Sequence, residues 1–227
     1  MKTNWWLKMS KLSLYDATFP FPFDNLIEYI ETKDNHDLNS LKVIKTRLDF
    51  YELKFTYKSI YTEEYLDINN NINHIDKLFI QEIFFRIYNR SNNNLIIFNE
   101  PRSILKLKNY LSKVTNFKFS LIKNSLNLND FLHKNIKHID YVSRIDVRDI
   151  IYADQIFEKK ILYTQNRKTN LPNILHNQLN SSSFKIFRIE FFFKNMPTSK
   201  VTLTYDLKIM QKVENLDSLL NIILDIF

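Results

Sequence analysis

Four charged side chains fall close together in this chain, Arg144, Asp146, Arg148 and Asp149, interleaved with Ile145 and Val147. On an extended backbone side chains alternate, so Arg144, Asp146 and Arg148 share one face. Two chemistries fit such a face. Opposite charges on a solvated strand can neutralise one another. Alternatively, Asp146 and Asp149 joined by Glu190 would hold a divalent cation and make the chain a metal-dependent nuclease or phosphodiesterase. Asp140 and Asp154 are further carboxylates for that set, but nothing in the spacing requires it. The acidic residue followed by Glu-x-Lys that marks restriction-type nucleases is missing. Glu158-Lys159-Lys160 approaches that pattern and departs from it.

Asn99-Glu100-Pro101-Arg102-Ser103 is the best local candidate for an anion site. A helix start offers free N–H groups and the positive end of the dipole, and Arg102 adds a bidentate fork. With Ser103, Lys106, Lys113, Arg144 and Arg148 it makes the set expected to meet nucleic-acid phosphates. The competing reading is an ordinary capped helix with Arg102 in solvent. Lysines beside aromatics, at Lys54-Phe55-Tyr57-Lys58, Phe117-Lys118-Phe119 and Phe191–Lys194, suit stacking of single-stranded bases if exposed. The same residues are core if buried.

Metal chemistry through histidine finds no support. His133 and His138 lie five apart, where a helix needs three or four, and His36, His74 and His176 stand alone in Asn-rich stretches. No Ser-His-Asp arrangement follows from spacing. Glycine and cysteine are both absent from the 227 residues. That removes the P-loop, the dinucleotide fingerprint, the nucleophile elbow and the GxxG loop. It also removes disulfides, cysteine–zinc sites and thiol nucleophiles. No cofactor is expected.

Composition sets the frame for these candidates. Apolar residues make up 44% and aromatics 15%, which excludes a disordered chain. The formal net charge is +7, spread along the chain as lysine, and fits either anionic partners or an ordinary surface. Alanine occurs only at Ala17 and Ala153 while Asn, Lys, Ile and Phe abound, as in proteins of AT-rich genomes. No apolar run reaches the ~20 residues of a membrane span, and the N-terminus has no signal-peptide pattern. A soluble, cytoplasmic protein is expected.

The elements that must position the candidates centre on Leu95–Val114. Leu95-Ile96-Ile97-Phe98 reads as a buried strand. Asn99 or Ser103 caps a helix with Pro101 in its first turn, and Ile104, Leu107, Leu111 and Val114 form its inner stripe, widened by Leu105. Residues 1–23 read as an extended arm in which Phe19, Phe21 and Phe23, kept extended by Pro20 and Pro22, pack on the chain itself or dock a partner together with Trp5 and Trp6. A short helix follows Asp24. Leu41–Tyr61 is strand with a bulge or turn near Tyr51-Glu52, Thr62–Asn73 is loop, and Ile75–Tyr88 divides between helical and strand spacing. Phe117–Ile122 is strand and Leu126–Leu132 helix. Val142–Gln165 forms two strands, and one helical turn is expected near Ile174-Leu175. Phe184–Phe193 and Val201–Ile209 are strands, and a last helix begins at Asn215 or Asp217.

The fold class is therefore α+β, mostly antiparallel, with helices on one face. Stretches 84–114 and 184–227 each read strand, turn, strand, helix, a candidate pseudo-repeat. Residues 24–227 form one domain with 24–140 and 141–227 as candidate halves. The functional expectation is a non-catalytic binding subunit of a larger assembly that contacts nucleic acid, protein or both. The metal-dependent nuclease and a purely structural scaffold, of a mobile element or antiviral-defence system, are the alternatives.

Overall fold

The computed structural model describes residues 11–33, 39–92, 94–152, 156–179, 183–211 and Leu220. Among them are eleven strands and four α-helices, and the strand pairings are mostly antiparallel. The α+β class with a dominant antiparallel sheet is what the alternating patterns imply. Trp5, Trp6 and the helix expected from Asn215 or Asp217 lie outside the described residues, except for Leu220, which is helical and buried.

Two compact units share the chain, Asp16–Ile122 and the combination of Met1–Tyr15 with Lys123–Phe227. Strand β1 (Lys11–Thr18) contributes residues to both units. Its first residues pair with β11 (Lys208–Gln211), its last with β6 (Ser120–Ile122).

In the unit Asp16–Ile122, β2 (Asn39–Thr46), β3 (Phe50–Leu66), β4 (Ile72–Tyr88) and β5 (Leu95–Phe98) lie side by side in that order. The turn between β2 and β3 falls at 47–49, slightly earlier than Tyr51-Glu52, and Leu48 there is almost fully exposed. Leu53, Phe55, Ile83, Phe85 and all of β5 are buried. Helix α2 (Leu105–Val114) covers the Phe55 side, with the Tyr110 ring 5.1 Å from that of Phe55. It starts later than the sequence suggests. Ile104 is its N-cap, Ser103 Oγ accepts the Leu105 N–H at 3.3 Å, and Pro101 lies outside it. Its buried stripe is Leu107, Tyr110, Leu111 and Val114, whereas Leu105 is exposed. A 3-10 turn (Phe23–Asn25) leads into α1 (Leu26–Lys33), whose Tyr29 hydroxyl donates to the Val114 carbonyl at 2.9 Å.

The second unit is ordered β1, β11, β10 (Met196–Thr204), β9 (Ser183–Phe193), β7 (Ile139–Tyr152), β8 (Ile156–Tyr163). Ile145, Val147, Ile189, Phe191, Phe193 and Leu203 form its core. Helix α3 (Leu128–Asn135) is capped by Asn127, whose side chain accepts from the Asn129 and Asp130 N–H groups, and it sets Phe131 against Phe191. Helix α4 (Leu171–Gln178), longer than the expected single turn, is capped by Asn170 and buries Leu171 and Leu175.

Without glycine, left-handed backbone falls to other residues. Asn70, Asn99, Asn116 and Asp149 tolerate it, and Phe117 (φ 61°) and Leu207 (φ 54°) bear it at steric cost.

Candidate interaction site

Thr62–Asn73, expected as loop, is mostly strand, and Ile75–Tyr88 contains no helix. Strands β3 and β4, 17 residues each, pair without a break from Phe50↔Tyr88 to Leu66↔Ile72. Only Asp67–Asn71 turns. Asp67 carboxylate oxygens accept from the Asn69 and Asn71 N–H groups, both at 2.8 Å, and from the Asn71 amide at 3.1 Å, while Asn70 takes the left-handed conformation. These hydrogen bonds, led by the Asn71 N–H, hold the Asp67 carboxyl below its ordinary value.

Beyond the pair Tyr57↔Gln81 the ribbon is exposed on both faces. Alternation places Ile60, Leu66, Ile72, Leu78 and Ile80 on one face, and each is more than half exposed. Tyr61, Tyr65, Ile75 and Phe79 lie on the other, all about half exposed. Lys77 pairs with Glu63, His74 Nδ1 is 3.7 Å from Glu64, and the Thr62 hydroxyl donates to Asp76 at 2.7 Å. Lys58 and Lys77 against Glu63, Glu64, Asp67 and Asp76 give segment 57–81 a net charge of −2, which leaves +9 on the rest of a +7 chain.

At its base the same ribbon is buried on both sides. Glu52 and Arg86 are opposite one another, 1% and 3% exposed, with Arg86 Nε donating to Glu52 at 3.0 Å. The guanidinium lies 4.3 Å from the Phe50 ring centroid and 5.5 Å from that of Phe98.

The charged strand seen in the sequence is real, and register completes it. Arg144 lies opposite Glu190 and Asp146 opposite Arg188 on β7 and β9. Arg144 grips Asp146 through two hydrogen bonds of 2.6 and 3.2 Å, Arg188 pairs with Glu190, and Lys200 of β10 donates to Glu190 at 2.9 Å. The hydrogen bond from Asp146 raises the Arg144 pKa further, against the opposing effect of burial. The carboxylates of Asp146 and Glu190 thus face guanidinium and ammonium groups, an arrangement suited to fixing a sheet face. Asp149 sits apart, exposed, at a left-handed kink in β7. No three His, Asp or Glu side chains come together as a metal site among the described residues.

Arg102, Ser103, Lys106 and Lys113 are exposed around α2, and Lys106 Nζ lies 4.8 Å from the Tyr57 ring. They belong to one unit while Arg144 and Arg148 belong to the other. The Arg148 guanidinium lies 3.6 Å from the Phe187 ring centroid. Phe19, Phe21 and Phe23 are half-buried on their own unit, against Phe119, Tyr29 and Tyr51 respectively. Asn94 supports that segment by exchanging two amide hydrogen bonds with the Ala17 backbone, at 2.7 and 2.8 Å. His133 and His176, distant in sequence, bring their rings within 5.7 Å. A cavity of about 470 Å³ beside His176 is lined by Asn127, Phe184, Lys185 and Tyr205 among others.

Sequence reasoning missed the ribbon, the Glu52–Arg86 pair and the roles of Arg188 and Lys200. No alternation of apolar and polar residues over Thr62–Asn73 signals the first. The others depend on which strands become neighbours. No family model and no curated protein matches the chain. No helix among the described residues is long and apolar enough to cross a membrane.

Proposed function

We propose that the chain is a non-catalytic binding subunit of a larger assembly and that the distal β3–β4 ribbon is the element by which it holds a protein partner. The observation that carries this reading is the row Ile60, Leu66, Ile72, Leu78 and Ile80, each left 51% to 66% exposed on one face. Aliphatic surface arranged this way is the usual mark of a protein contact. A net charge of −2 on segment 57–81 favours protein over nucleic acid at this element. The test is the variant Ile60→Lys/Leu78→Lys. Both positions are exposed, so circular dichroism should match the parent chain, while surface-sensitive apolar dye and partner binding fall away. Unchanged dye and partner binding would remove the reading.

The +9 balance outside segment 57–81 favours a second, separate contact with nucleic-acid phosphates. Arg102, Lys106 and Lys113 would serve it on one unit, Arg144 and Arg148 on the other. Such binding must weaken steeply as salt rises, and a salt-independent signal would exclude it. The metal-dependent nuclease loses support, since Asp146 and Glu190 are already engaged by Arg144, Arg188 and Lys200.

A further inference from the structure

The exposed ribbon face has an internal symmetry that bears on what occupies it. Along that face the cross-strand pairs run Ile60↔Leu78, Thr62↔Asp76, Glu64↔His74, Leu66↔Ile72. Aliphatic pairs flank a polar centre. A twofold axis lying across the ribbon, between Thr62↔Asp76 and Glu64↔His74, would turn one such face onto another with the direction reversed. Ile60 then meets the partner's Leu66, Leu78 meets the partner's Ile72, Thr62 meets the partner's Glu64, and Asp76 meets the partner's His74. Within these four cross-strand pairs each apolar group finds an apolar group and each polar group finds one of complementary character, while Ile80, opposite Lys58, lies outside them. An isologous interface demands this self-complementarity.

We propose that the occupant of the ribbon face is the ribbon of a second copy of this chain, packed antiparallel about that axis. The proposal rests on the reading of the ribbon as a protein-contact element and names its partner. Area agrees with it. The four aliphatic side chains matched in this way leave roughly 100 Å² each bare, so two copies would remove on the order of 800 Å². That is the apolar share of a standard interface of about 1,600 Å².

The chain contains no cysteine, which makes a direct test clean. In Ile60→Cys/Leu66→Cys the two thiols of one chain are separated by about 20 Å of strand, too far to join within it. The proposal places each against the other's counterpart in the second copy. Mild oxidation should convert most of the protein to a covalent dimer. Tyr61→Cys/Tyr65→Cys, on the opposite face, should stay largely monomeric. Sedimentation of the unmodified chain should show a reversible dimer that Ile60→Lys/Leu78→Lys dissociates. Equal cross-linking from both faces, or a dimer that survives the lysine variant, would overturn the proposal. A chain monomeric at every concentration would also overturn it. If that monomer still bound apolar dye through Ile60 and Leu78, the ribbon would remain a contact element for a different protein. If it bound none, that reading would fall as well.

Discussion

Replacing Arg86 by methionine tests how the base of the ribbon is held. Arg86 and Glu52 face one another at 3% and 1% exposure, joined by a 3.0 Å hydrogen bond, with the guanidinium stacked toward Phe50. Methionine fills much of the same space, so the packing change is small. What remains is the Glu52 carboxylate, 1% exposed, with the Arg86 guanidinium removed. Breaking one side of a buried ion pair costs about 3–5 kcal/mol, and losing the contact with the Phe50 ring adds about 1 kcal/mol. Against a typical domain stability of about 5–15 kcal/mol this is severe. Removing both charges, as Glu52→Met/Arg86→Met, should recover most of the loss, because desolvation of the pair disappears along with its attraction. Urea unfolding of the parent, both single variants and the double variant closes the cycle. If Arg86→Met costs less than about 1 kcal/mol, or if the double variant loses as much as the two singles summed, the pair is not the buried, coupled unit described.

Two further outcomes follow from local geometry. Phe117 holds a left-handed backbone at φ 61° with its ring 78% exposed, so Phe117→Gly should raise stability by about 0.5–1 kcal/mol, read as a higher urea midpoint. No gain, or a loss, would mean that the ring packs usefully. Asp67 has its carboxyl held low by the turn it organises, so the stabilisation it provides is present above its unfolded pKa and is lost as pH falls through the lower folded value. Amide exchange at Asn69 and Asn71 should therefore lose protection in acid. In Asp67→Ala it should be weak at every pH, and a pH-independent turn would refute the assignment.

Leu95–Phe98 was legible because β-branched residues in a short run between polar stretches specify a buried strand with little help. The start of α3 was legible because capping is local: Asn127 and Asn129 both stand near it in the sequence, and Asn127 is the cap. The ribbon was not. Thr62–Asn73 is polar and Asn-rich, and an arm exposed on both faces lacks the alternation that a half-buried strand displays. Ile75, Leu78, Phe79 and Ile83 also happen to fall at helical spacing. Phe85 and Ile87 were readable as one strand face. That the face of Arg86 is buried too depends on Phe50 and Phe98, brought alongside by pairings far apart in sequence. The charged site shows the same division. Asp146 and Arg144 share a strand, so alternation alone puts them on one face. The contacts of Glu190 with Arg188 and Lys200 needed the register of three strands, shifted by several bulges.

If the distal ribbon serves association and not the fold, a chain without it should remain folded and lose its contacts. Joining Lys58 directly to Ile80 through an Asn-Gly turn removes the exposed arm and keeps the buried base, since these two residues face one another in register. Sedimentation velocity of that shortened chain reads compactness and mass together. A compact monomer at concentrations where the parent chain self-associates is the predicted result. An expanded or precipitating chain, or an undiminished assembly, would contradict it.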